Sequence, residues 1–254
     1  MAVNETVKLI DLIIIYLTLK EFYPVMHLMT GPPPLDRNGG IWKVMKKELS
    51  NTIEHPRIMV QAFHFTTYNL SKGAWEEWAS SGARSLGSQI RSYFKNGSIF
   101  VDSGGYQVMQ GDKIDLSKWG IDVTQEGIYE IQKKYNPDII CNLDIPVRPQ
   151  VDYRQFKELV ERNVRNMKIL DDIIKDDKSK VYYVIHGRNR IEIEYMYSRV
   201  KTSIHVESER AHFALGSQVP LISYGRSVVS ENASHLSKLI EEDYGGLCGS
   251  YRQT

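Results

Sequence analysis

"IFVDSGGYQ", residues 99–107, is an apolar run that stops at a carboxylate and is followed by a serine, two glycines and a tyrosine. The run is too short for a helix and rich in residues that favour strands. An aspartate at its end, next to glycines that let another group approach the backbone, marks the end of a buried strand. The same pattern recurs along the chain. "DIICNLDIPVRPQ" (138–150), "KVYYVIHGRN" (180–189) and "HFALGSQ" (212–218) each pass from an apolar run into polar or glycine residues.

Helical patterns lie between these runs. Trp75, Trp78, Ala79, Leu86, Ile90 and Phe94 share one helical face; Ile128, Ile131 and Tyr135 share another, in a helix that Asp122 or Thr124 can cap. Phe156, Leu159, Val160, Val164, Met167, Leu170 and Ile174 keep a 3.6-residue period. Shorter helices are expected around 191–200 and 232–242, and an earlier strand at "RIMVQAF" (57–63). Alternating strands and helices with nearly continuous apolar strands indicate a parallel sheet covered by helices. An eight-fold barrel and a doubly wound sheet both fit. No GxGxxG follows the first strand and no P-loop is found, which argues against the nucleotide-binding versions. "TGPPPLDRNGG" (30–40) separates an N-terminal element, residues 1–40, from an α/β domain over 41–254.

Composition narrows the setting. The chain has 254 residues, a net charge of +1 and two cysteines, Cys141 and Cys248. It carries no global basic field, no disulfide framework and no four-ligand zinc set. "LIDLIIIYLTL" (9–19) is too short to span a bilayer, so no membrane partner is expected and a reducing, cytoplasmic setting fits.

In a parallel α/β barrel the strand ends and the loops after them build the active site. Asp102, Asp144, His186 and Gly216 would then meet at one mouth. Taken singly, an aspartate after a strand is usually a cap or turn residue; four such ends in succession point to a site. Two carboxylates suit a ligand edge rich in N–H donors, such as that of guanine, and a tyrosine beside glycines suits a flat ring. The same parts suit glycosidic chemistry, in which one carboxylate attacks an anomeric carbon and another group handles the leaving group's proton.

"VDSGGYQVM" resembles the signature of the tRNA-guanine transglycosylase family. "DVTQEGIYEIQKKYNPDIICNLDIPV" (122–147), "VIHGRN", "ALGSQVP" and, more loosely, "VQAFHFTTYN" (60–69) match further family segments in order, over about residues 57–222. The resemblance implies a (β/α)8 TIM-type barrel, short at its C-terminal end. It implies exchange of guanine for a 7-deazaguanine such as preQ0, as in queuosine formation, by double displacement in tRNA or, in a related branch, DNA. By motif match Asp102 is the general acid/base. The base-contacting set is Ser103, Gly104, Gly105, Tyr106, Gln107, Asp144, His186, Gly187 and Gly216, with Tyr106 stacking and Asp144 reading the N–H edge.

Three departures stand out. The family's later nucleophilic aspartate has no match; Asp243 lies on or after a helix and is not assigned, so the nucleophile is unknown. The family's zinc motif is absent, and no cofactor is identified. His186 replaces a glutamine, and Ser217 and Gln218 alter the lining. Arg148, Arg188, Arg190 and Arg226 are candidate phosphate contacts. The alternatives are a base- or nucleic-acid-binding subunit that needs a partner chain, in a homo- or hetero-oligomer, and an unrelated barrel enzyme acting on a small phosphorylated or sugar substrate.

Overall fold

The computed structural model describes residues 57–63, 88, 91, 97–105, 108, 120, 122–175, 177–204, 211–218, 221 and 225–244. Residues 1–56, the Leu9–Leu19 run among them, lie outside the described residues, as do Tyr106, Gln107 and Cys248. Five strands form one sheet: β1 (Arg57–Gln61), β2 (Ser98–Asp102), β3 (Ile139–Cys141), β4 (Lys180–His186) and β5 (Ala211–Gly216). All neighbouring pairs are parallel, and the spatial order is the sequence order. A doubly wound sheet reverses its strand order part-way, and this one does not. Parallel strands joined in sequence by right-handed crossovers place every helix on the same face. The class is therefore α/β with a singly wound parallel sheet. A closed eight-strand barrel is not seen among the described residues.

The described helices are α1 (Gln125–Lys134), α2 (Tyr153–Ile173), α3 (Arg190–Lys201) and α4 (Arg226–Tyr244). Their starts are written in side chains. Thr124 caps α1 by accepting the Gly127 N–H. Asp152 and Gln155 form a reciprocal capping box on α2, and Asn189 caps α3 by accepting the Glu192 N–H. Of the helix expected over 75–94, the described residues Ser88 and Arg91 are helical. The last helix starts at Arg226, six residues before the expected Asn232.

The two faces of the sheet carry different cores. Ile140, Val181, Tyr183 and Ile185 pack under the helices with Phe156, Val160, Met167, Ile193 and Met196. Phe100, Ile139, Cys141 and Val184 form the opposite face, with Met59, Tyr182 and Ala214 against them. Stacked rings run across this second face, from Phe100 to Tyr182 (5.5 Å) and from Tyr182 to His212 (5.1 Å). Side chains alternate along a strand. Two residues beyond Phe100, Val184 and Ala214 come Asp102, His186 and Gly216, so the polar strand ends continue the face opposite the described helices.

Within the run "DIICNLD" (138–144) the strand is short and ends at Cys141. The ladder is replaced by side chains: Asn142 Oδ1 accepts the Val184 N–H at 2.9 Å, and Gln125 Oε1 accepts the Leu143 N–H at 2.6 Å. Released from the sheet, Asn142–Asp144 turns across the strand ends.

Candidate active site

The site is built from the ends of β2, β3, β4 and β5. Gly104 sits at φ +74°, a conformation glycine adopts without strain, and a Cβ there would lie 2.4 Å from the Phe63 ring. At Gly105 a Cβ would fall 1.6 Å from the Asp144 carbonyl oxygen. The two glycines therefore serve the close packing of the β2 loop against the β3 loop.

That packing joins the two carboxylates. Ser103 Oγ–H donates to Asp144 Oδ1 at 2.6 Å, and Ser103 Oγ accepts the Gly105 N–H at 3.2 Å. Asp102 Oδ2 accepts the Gly104 N–H at 3.1 Å. Cys141 lies between: its Sγ accepts the Ser103 N–H at 3.3 Å and its thiol faces Asp102 Oδ1 at 3.7 Å. Ligand atoms of Asp102, Cys141 and Asp144 lie within 4.8 Å of one another. These three could in principle hold a cation, but burial and the two carboxylates push the Cys141 thiol well above its ordinary range. A cation bound there would have to displace the thiol proton and the hydrogen bonds on both sides of the sulfur.

The carboxylates are driven apart. Burial first, and then the charge of Asp144, raise Asp102 to about 7. Burial also acts on Asp144, yet the His186 imidazole and the Ser103 hydroxyl outweigh it and leave this carboxyl below its ordinary value. Near neutral pH Asp102 can hold or release a proton while Asp144 remains an anion. The Asp144 side chain keeps 15% of its surface exposed, so oxygen lone pairs beyond those facing Ser103 and His186 stay accessible.

His186 is fully buried. Its Nε2 lies 3.4 Å from Asp144 Oδ2, at ion-pair range but off the line of a hydrogen bond, and its Nδ1 lies 2.9 Å from Ser217 Oγ. Gly216 lies against this ring: a Cβ there would come within 2.5 Å of both Cε1 and Nδ1. Gly187 packs on the first turn of α3, where a Cβ would meet Ile193 at 2.6 Å, and its carbonyl accepts from Gln218 Nε2.

The structure thus brings together Asp102, Ser103, Gly104, Gly105, Asp144, His186 and Gly216. It sets Gly187 behind them. Arg188 does not suit a phosphate contact: its guanidinium is forked on Glu192 and also donates to the Pro149 and Val151 carbonyls. Arg190 is exposed, 3.9 Å from Glu231. The site also uses residues that sequence reasoning gave no role. Gln132 Nε2 donates to the carbonyls of Val101 and Cys141, each at 3.0 Å, and locks β2 to β3. Asn163 holds Ile145 through both its N–H and C=O. The available signal was an amide set among apolar residues on the buried helix face, Gln125 and Gln132 on α1 and Asn163 on α2.

The profile of the family described as "Queuine tRNA-ribosyltransferase" matches residues 34–221. The chain belongs to this family. Among curated proteins it is similar to the tRNA-guanine(15) transglycosylase of Methanosarcina barkeri, 42% identical over 64 residues, which is 25% of this chain and 11% of that protein. The corresponding protein of Methanosarcina mazei is 30% identical over 129 residues, covering 50% of this chain and 24% of its own length. The chain thus matches about a quarter or less of the length of either relative. No described helix is long and apolar enough to cross a membrane.

Proposed function

We propose that this family member is a transglycosylase that exchanges guanine for another purine-like base, a 7-deazaguanine, in tRNA, with strand ends β2–β5 as one wall of a (β/α)8-type mouth. The observation that carries this reading is the pair of adjacent, largely enclosed carboxylates in unlike surroundings, Asp144 bonded to Ser103 and facing His186, and Asp102 set beside Cys141 and the Gly104 N–H. Asp144, an anion with accessible oxygens, accepts from the N1–H and 2-amino group of guanine. Asp102, poised near 7, gives its proton to the purine as the glycosidic bond to C1′ breaks, and takes one from the incoming base in the reverse displacement. Each step moves one proton and needs no redox partner. By motif match Tyr106 is assigned to stack on the base and Gln107 to contact it, and Ser103 holds the carboxylate that reads the base. No residue is assigned as the carboxylate that attacks C1′.

One observation favours a second reading. Asp243, the only aspartate after Gly216, lies near the C-terminus of α4 and pairs with Lys201 at the C-terminus of α3. Helices that return antiparallel to the strands end at the edge of the sheet opposite the site, so Asp243 is remote from Asp102. The chain would then bind the base and move the proton while a partner chain supplies the attacking group.

Incorporation of labelled guanine into tRNA and into duplex DNA tests both readings. Wild-type protein should label tRNA, and Asp102→Asn should abolish labelling while the fold survives. Labelling retained in Asp102→Asn refutes the proton-transfer role. Guanine binding with labelling only after a partner is added supports the second reading.

A further inference from the structure

Ser217 is a residue of this site that neither reading above uses. It is a non-glycine residue at φ +61°, where glycine would sit without strain, so its side chain is retained at a backbone cost. Its Oγ accepts the Val147 N–H at 2.8 Å and lies 2.9 Å from His186 Nδ1. The backbone around it is pinned: Gln218 Nε2 donates to the carbonyls of Gly187 and Gly216, and Asn232 Nδ2 donates to Gln218 Oε1. Gly216 supplies the bare surface on which the imidazole lies.

Proton counting decides what this arrangement does. His186 Nε2 is buried and faces the Asp144 carboxylate. A bare nitrogen lone pair there would oppose the oxygen lone pairs, so Nε2 carries the proton. In a neutral ring Nδ1 is then an acceptor and needs a donor. Ser217 Oγ already accepts from Val147, and its own O–H is free to donate to Nδ1.

We propose that Ser217 is a positioning residue that fixes His186 in the Nε2–H tautomer, so that the ring presents a donor to Asp144 and keeps that carboxylate turned to read a guanine-like edge. The polar sequence runs from Ser217 by a hydrogen bond to His186, across a 3.4 Å ion-pair-range contact to Asp144, and by a hydrogen bond from Ser103 to that carboxylate. The tautomer stands on geometry alone; its consequence for the ligand rests on the guanine reading.

The test is a long-range ¹H–¹⁵N spectrum of histidine-labelled full-length protein at about pH 8, above the ordinary imidazole range. The His186 signals are assigned by their loss in His186→Gln. Ser217→Gly removes the hydroxyl and relaxes the backbone, so it should fold; Ser217→Ala repeats the test with Cβ kept. The wild type should show protonated Nε2 and bare Nδ1. Both variants should show the other tautomer or a mixture, and guanine should bind about tenfold more weakly, the effect of one lost polar contact. A wild-type ring protonated on Nδ1, or a tautomer unchanged in the variants, overturns the proposal whatever the affinity does. A wild-type Nε2–H ring that shifts in the variants, in a protein that does not bind guanine, upholds Ser217 and refutes the guanine reading.

Discussion

Asp102 and Asp144 carry the same functional group, and their surroundings give them opposite tasks. Asp102 is raised to about 7 by burial and by its neighbour's charge, while Asp144 is held low by His186 and Ser103. Linkage turns this into a pH signature. Folded Asp102 holds its proton more tightly than the unfolded chain does, so its contribution to stability is complete below its unfolded value and is lost as pH rises through about 7. Asp144 has the opposite sign: its contribution is present above the ordinary carboxylate range and is lost as pH falls through its lowered folded value. Asp102→Asn should therefore gain stability relative to wild type as pH rises from about 5 to about 8. Urea midpoints across that range check this, and parallel curves would contradict it. At this scale much was legible. A carboxylate ending an apolar run marks a strand end, and Asp102, Asp144 and His186 do converge. Cys141 was not legible as a site residue, because a continuous apolar strand gives no sign that one thiol will face a carboxylate.

At the scale of elements, the strand ends are held by polar side chains rather than by longer strands. Asn142 takes the Val184 N–H that a continued β3 would have bonded. Asn142→Ala leaves that buried N–H without its partner and should cost about 1–3 kcal/mol, measured by urea unfolding. Gly105→Ala puts a methyl group into the Asp144 backbone, 1.6 Å from its oxygen. The β2 and β3 loops must part to admit it. The expected cost is about 2 kcal/mol or more, with guanine binding lost alongside. A fully stable Gly105→Ala that binds guanine normally would show that the loops are not packed as described. The periods of α1 and α2 and the five apolar runs were readable because burial of one face imposes periodicity. The early end of β3 was not, since Asn142 and Gln125 meet only once the chain has folded. The early start of α4 was missed for a different reason: its first turns, "RSVVSEN", have no clear apolar stripe.

At the scale of the molecule, sequential parallel strands put the four described helices on one face and the polar strand ends on the other. The α/β class followed from the alternation of periods; the strand order did not, since a barrel and a doubly wound sheet both fitted it. The family resemblance was legible because the glycines and carboxylates of one site recur in order along the chain. Barrel closure and the attacking carboxylate are not found among the described residues. The account makes this face a guanine site whose specificity rests on Asp144, and calorimetric titration tests that most directly. Guanine and hypoxanthine, which lacks the 2-amino group, are each titrated into wild type and Asp144→Ala. Wild type should bind guanine more tightly than hypoxanthine. Asp144→Ala should weaken guanine by about a hundredfold, the scale of a lost charged hydrogen-bond pair, and hypoxanthine by clearly less. Equal losses for the two bases, or no guanine binding to the wild type, would contradict the account.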